Sequence, residues 1–175
     1  GIMAMEPIHS PSLSLDIGGT TTDIALWQHG APLLSEGGTR VAGFVTALRS
    51  FRLSSVGIGG DSFVRREAGG LKIGPMRHGP AMAVGGKHPT VTDAMVAAGL
   101  IDFGHHELAI QAMKQVADDK QSPQEIADQI LNKAVHKIYC GIADMLAQQA
   151  DQPVYRVEDI IKGTSIVPEQ IIGVG

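Results

Sequence analysis

Asp16-Ile17-Gly18-Gly19-Thr20-Thr21-Thr22-Asp23 gathers two carboxylates, two adjacent glycines and three hydroxyls in one octad. Gly18 and Gly19 would expose backbone N–H groups without Cβ obstruction, and a nest of such donors holds an oxyanion. The hydroxyls of Thr20 and Thr21 add further donors. Asp16, at the mouth of the turn, would repel a bare phosphate. Its presence makes sense with Mg²⁺ between carboxylate and phosphate, usually with waters in between. Asp23 could orient a water or a threonine hydroxyl. An ordinary hairpin with a Gly-Gly turn is the plain alternative.

The elements that must position this octad are legible on either side of it. Leu13, Leu15 and Ile17 alternate with Ser12, Ser14 and Asp16, the period of a strand. Ile24 to Trp27 form a second apolar run that Gly30-Ala31-Pro32 breaks. A strand, a glycine turn and a second strand make a hairpin. Gly57-Ile58-Gly59-Gly60-Asp61-Ser62 follows Ser54 to Ile58, a buried-strand pattern, as a second strand-to-loop exit. It could meet the first exit on one edge of a sheet. Gly59 and Gly60 would admit a ligand close to the backbone, with Asp61 and Ser62 within reach of a metal, an amide or a phosphate. A structural bulge is the alternative.

Further on, Phe63 to Glu67 and Leu71 to Ile73 read as a hairpin around Ala68-Gly69-Gly70. Gly74 to Pro89, with Pro75 and Pro80, reads as one long irregular loop, functional or mobile. Thr90-Val91-Thr92-Asp93 caps a helix that Gly99 stops. That helix start could serve only as a cap, or could also favour an anion, with Lys87 and His88 just ahead of it.

The order of these motifs resembles the hydantoinase/oxoprolinase family, within the actin/Hsp70/sugar-kinase ATPase superfamily. Members follow a DxGGTxTD hairpin with a GxGGGS-like loop, a hairpin ending in Gly-Pro, a Gly/Pro-rich loop and a PTVTDA helix start. Here these are Asp16 to Asp23, Gly57 to Ser62, Gly69 to Pro75, and Gly85 to Ala94. The match covers residues 13 to 100. Asp61 departs from the pattern, since many members carry Gly there, so a backbone-only role does not carry over to it.

The resemblance implies an α/β fold, one actin-like (ribonuclease H-like) ATPase lobe with a mixed sheet and packed helices. It implies a parent protein that opens a cyclic amide of the hydantoin or 5-oxoproline type using ATP and Mg²⁺. Asp16 would position the metal, Gly18, Gly19, Thr20 and Thr21 would cradle phosphate, and Asp23 would orient a water for proton transfer. Gly59, Gly60, Asp61 and Ser62 would close the nucleotide site. The superfamily uses two facing hairpins, whereas one is present here, and Gly173-Val174-Gly175 resembles the opening of an adenosine loop. The expectation is therefore a single domain, residues 1–175, excised from a larger chain and lacking its second lobe. An initial Gly rather than Met fits a fragment or a cleavage scar. The isolated piece would be inactive. Two alternatives stand beside the amide-opening reading: a non-catalytic nucleotide-binding module, and a sugar or acyl kinase-like phosphotransferase.

The C-terminal half reads as helical. His105 to Asp119 carries Leu108, Ala112, Met113 and Val116 on one side. Ser122-Pro123-Gln124-Glu125 is a start signal for a helix reaching Gln149, with an Ile126, Ile130, Ala134, Ile138, Ile142, Met145 stripe. Val157 to Lys162 reads as a short helix.

Composition bounds the rest. With 43% hydrophobic and 18% charged residues, the 175-residue chain suits a globular α/β domain. A formal charge of −4 and no Lys/Arg run disfavour nucleic acid or an anionic membrane as partner. No apolar stretch approaches the roughly 20 residues of a membrane span, and the N-terminus is not a signal peptide. Cys140 is the only cysteine, so a disulfide within the chain is impossible and a reducing, cytoplasmic setting is the simpler expectation. Cys140 reads as a packed residue without a nearby base. The seven histidines form no HExxH pair, so no zinc site is expected.

Overall fold

The structure, a computed structural model, describes residues 10–34, 40–41, 44–45, 53–150 and 168–175. The loop at Glu36 to Gly38, most of Arg40 to Leu53, the short helix at Val157 to Lys162 and the Ile166-Val167 run lie outside the described residues. Two compact units arise from the chain: residues 1–16, 23–55 and 141–175 form one, and residues 17–22 and 56–140 the other.

The first unit holds all but the end residues Ile17, Thr22 and Val56 of a mixed sheet. Its strands are β1 (Ser12–Ile17), β2 (Thr22–Gln28), β3 (Ala31–Pro32), β6 (Leu53–Val56) and β9 (Gln170–Val174), with β4 (Arg40–Val41) and β5 (Phe44–Val45) as a separate pair. The sheet order is β3-β2-β1-β9, and β6 also pairs with β2. The expected hairpin forms, but its alternation does not divide core from water. Leu13, Ile24 and Leu26 are buried, and so are Ser12 and Ser14. The serines are satisfied where they lie: the Trp27 indole N–H donates to Ser14 Oγ at 2.9 Å, and Ser12 Oγ accepts from Gln170 Nε2 at 2.8 Å. Gly30-Ala31-Pro32 is a reversal rather than a simple break. His29 and Gly30 both take positive φ (52° and 75°), which matches strand twist in a two-residue turn, and β3 pairs back on Trp27 and Gln28. The Ser54 to Ile58 pattern gives a shorter, more exposed strand than expected: β6 stops at Val56, and of residues 54–58 only Ile58 is buried.

In the second unit, the hairpin of β7 (Val64–Glu67) and β8 (Gly70–Ile73) pairs Val64 with Ile73 and Glu67 with Gly70. Helices α1 (Val91–Ala97) and α2 (His106–Val116) and the first part of α3 (Pro123–Ala150) complete it. Val64, Ile73, Ala94, Ala112, Met113, Ile126 and Ile130 meet in one core. The α3 start behaves as its sequence implies. Ser122 N–H donates to Glu125 Oε2 at 2.7 Å and Glu125 N–H to Ser122 Oγ at 3.2 Å. The bonds from the Ser122 backbone and then its hydroxyl hold the Glu125 carboxyl below its ordinary range.

Gly74 to Pro89 is not one irregular loop. A 3₁₀ turn, Met82–Val84, sits inside it, held by the cap of α1. Asp93 is fully buried and accepts from Met82 N (3.0 Å), Ala83 N (2.8 Å), Thr90 N (2.9 Å) and Thr90 Oγ1 (2.9 Å). One carboxylate therefore closes the capping box and pins a turn about ten residues upstream. Removing it would strand buried N–H groups, each costing the desolvation of an unpaired donor. Asp93→Ala should destabilise the chain by on the order of 3–5 kcal/mol in urea denaturation, because three backbone donors lose their acceptor together. A loss below about 1 kcal/mol would contradict this role.

Candidate functional site

The octad's tip and the second glycine loop interlock within the second unit. Gly18 N–H donates to Thr21 O at 2.9 Å and closes the tip. Gly60 N–H then donates to Gly18 O at 3.0 Å, and Asp61 N–H to Gly19 O at 2.7 Å. Thr22 Oγ1, buried, donates to Ile58 O at 2.8 Å. Gly59 lies directly under the tip. A Cβ there would stand 2.3 Å from Gly18 O and 2.6 Å from Thr20 N. The absence of a side chain is what lets the two backbones touch.

The second loop is braced in turn. Gly59 N–H donates to the buried Ser62 Oγ at 2.9 Å, and Ser62 N–H to Gly59 O at 3.1 Å. Thr92 gives both its N–H (2.8 Å) and its hydroxyl (3.0 Å) to Gly60 O. Three segments far apart in sequence, 18–22, 57–62 and 90–93, thus form one hydrogen-bonded stack. The N–H groups of Thr92 and Asp93, in the first turn of α1, are spent inside it, on Gly60 O and Thr90 Oγ1, which gives Thr90, Thr92 and Asp93 a structural task.

This stack sorts the donors. The N–H groups of Gly59, Gly60 and Asp61 are all committed to protein acceptors. Those of Gly19, Thr20 and Thr21 have no partner among the described residues, and Gly19 and Thr21 are exposed. The close approach that Gly59 allows is to the other loop. Asp61 lies beside the tip, and its carboxylate pairs with Arg77 at 2.8 Å, a contact the sequence reading did not anticipate. Next to it, Phe63 packs edge-on against His78 (ring centroids 4.7 Å apart) and His88 (5.4 Å). His88 therefore belongs to an aromatic cluster.

Asp16 and Asp23 belong to the first unit. Asp16, exposed, is the next-to-last residue of β1, opposite Val174 of the parallel strand β9, and Asp23 is half-buried in β2. Gly173 and Val174, whose sequence resembles the opening of an adenosine loop, lie in a strand that pairs with Leu15 and Asp16 of β1. Among the described residues, no three His, Cys, Asp or Glu side chains gather as a metal cage. A single exposed carboxylate does suit Mg²⁺, which keeps waters and takes phosphate oxygens as further ligands. Cys140 is exposed rather than packed, and His136 Nε2, one helical turn earlier, is 3.7 Å from its sulfur. Among the described residues, no helix is long and apolar enough to cross a membrane.

The hydantoinase/oxoprolinase family model matches residues 1–157. The chain belongs to the hydantoinase/oxoprolinase family. Its fold is shared with a nucleotide-free ATP-dependent acetone carboxylase (TM-score 0.68, 22% identity) and with an ATP-dependent caprolactamase from Pseudomonas jessenii (TM-score 0.62, 23% identity). Each similarity covers 79% of this chain and 22% of the solved chain. No curated protein sequence matches. The α/β class with a mixed sheet is thus the expected one.

In this hydantoinase/oxoprolinase-family chain, the contact at Gly59 is open to direct test. Gly59→Ala should cost about 3 kcal/mol or more of stability, since backbone rather than a side chain must yield. Gly69→Ala, where a Cβ meets nothing within 4 Å, should stay within about 0.5 kcal/mol of the parent. Equal effects of the two substitutions, measured by thermal or urea unfolding, would remove the steric reason given for Gly59.

Proposed function

We propose that this chain supplies a polyphosphate-binding tip to an enzyme that uses ATP to open a cyclic amide. The observation that carries the reading is the division of donors. Gly60 and Asp61 spend their N–H groups holding the tip and Gly59 spends its own bracing the loop, while those of Gly19, Thr20 and Thr21 have no partner among the described residues. A rigid set of outward N–H groups on a glycine turn favours phosphate oxygens. The Thr20 and Thr21 hydroxyls extend the same donor set.

Asp16, two residues before Gly18 in the chain, would hold Mg²⁺ through waters. Asp23, two residues after Thr21, would orient a water for proton transfer. ATP, when bound, would activate the amide oxygen, making the carbonyl a better electrophile for water. The chain's own contribution is to fix phosphate, since positioning and fixed dipoles carry most of such catalysis. Family membership and the ATP dependence named for two proteins of the same fold support this reading. A second lobe facing the tip, supplied from outside these residues, would complete the nucleotide site.

The test is nucleotide turnover by the full-length protein with Mg²⁺. ATP hydrolysis should rise when a lactam or hydantoin is added, and Asp16→Ala should lower it by on the order of 100-fold. Nucleotide binding without lactam-dependent turnover would instead indicate a binding module. Turnover that needs a sugar or a carboxylic acid would indicate a phosphotransferase.

A further inference from the structure

The Asp61–Arg77 pair lies against the tip, and folding alone does not account for its charges. Asp61 brings a carboxylate to the second glycine loop. Its N–H donates to Gly19 O, and a Cβ on Gly19 would be 3.0 Å from its Oδ2, so the carboxylate borders the free donors. Alone, that anion would oppose a phosphate held at Gly19 to Thr21. Arg77 Nη2 is 2.8 Å from Oδ2, with 54% of the arginine side chain and 21% of the aspartate exposed. An ion pair this open contributes little to folding.

Arg77 is nevertheless held on both sides. Met76 O accepts from Phe63 N–H at 2.9 Å, and the His78 ring stands edge-on to Phe63. The residues before and after Arg77 are thus tied to Phe63, while Arg77 itself reaches Asp61. A guanidinium carries five N–H donors in a planar fork, so the bond to Asp61 leaves others to offer.

We propose that Arg77 is a phosphate-binding residue: its guanidinium cancels the Asp61 charge beside Gly19 and gives its remaining donors to a polyphosphate on the tip. This rests on the ATP reading above. The pair also explains how an acid is tolerated at position 61. The acid orients the arginine, and the arginine masks the acid.

The experiment is calorimetry on the full-length protein with Mg²⁺-ATP, Mg²⁺-tripolyphosphate and adenosine. Arg77→Ala should weaken the two polyphosphates by about tenfold and leave adenosine unchanged. Arg77→Lys should keep most of the affinity. In an Asp61→Asn background the loss from Arg77→Ala should shrink, because no bare carboxylate is uncovered. Melting temperatures of all variants should stay close to the parent's. Polyphosphate affinity unchanged in Arg77→Ala would overturn the proposal. So would a loss shared with adenosine and not restored by lysine, which marks a structural brace. If the parent protein binds no polyphosphate at all, the ATP reading itself fails, and a wild-type titration shows that before any variant is made.

Discussion

The arrangement depends on a missing Cβ. Gly59 lets the backbone of Gly18 to Thr20 rest on the second glycine loop, where any side chain would meet a carbonyl oxygen at 2.3 Å. A two-glycine tip is costly to order, because glycine loses more conformational freedom than other residues. Bonds from Gly60, Asp61 and Thr22 hold it in one shape. The tip is then a preorganised set of donors rather than a flexible turn.

What holds the second loop is a helix start. Thr92 fastens Gly60 through two bonds to one carbonyl, and Asp93, one residue on, gathers Thr90, Met82 and Ala83. The PTVTDA segment acts as a buttress: a buried carboxylate saturated by backbone donors behind, a threonine reaching forward. A short helix of seven residues would be marginal alone, and here tertiary bonds hold its first turn.

The parts readable from sequence were those whose cause lies within a few residues. The β1–β2 and β7–β8 hairpins follow from glycine turns, and the starts of α1 and α3 from Thr90–Asp93 and Ser122–Glu125. Their order also pointed to the family. The parts not readable were set by partners distant in sequence. Strand β9 pairs with β1 across more than 150 residues, and Ser12 and Ser14 are buried because Gln170 and Trp27 satisfy them. Arg77 carries no motif of its own, and only the fold brings it to Asp61. Cys140 read as a packed helix residue because its apolar character says nothing of which helix face meets the core. At the site, Gly57 to Ser62 was legible as a second loop meeting the first. That its N–H groups would be spent on the first loop was not, since alternation and spacing do not reveal hydrogen-bond partners.

The central claim is that one loop's amides serve the fold and the other's serve the ligand. Amide hydrogen exchange read residue by residue, without nucleotide and with Mg²⁺-ATP, tests it most directly. The account expects Gly60 and Asp61 amides to be protected in both conditions, and Gly19, Thr20 and Thr21 amides to exchange fast until nucleotide slows them. Fast exchange at Gly60 and Asp61 that nucleotide alone suppresses, with no change at Gly19 to Thr21, would contradict it.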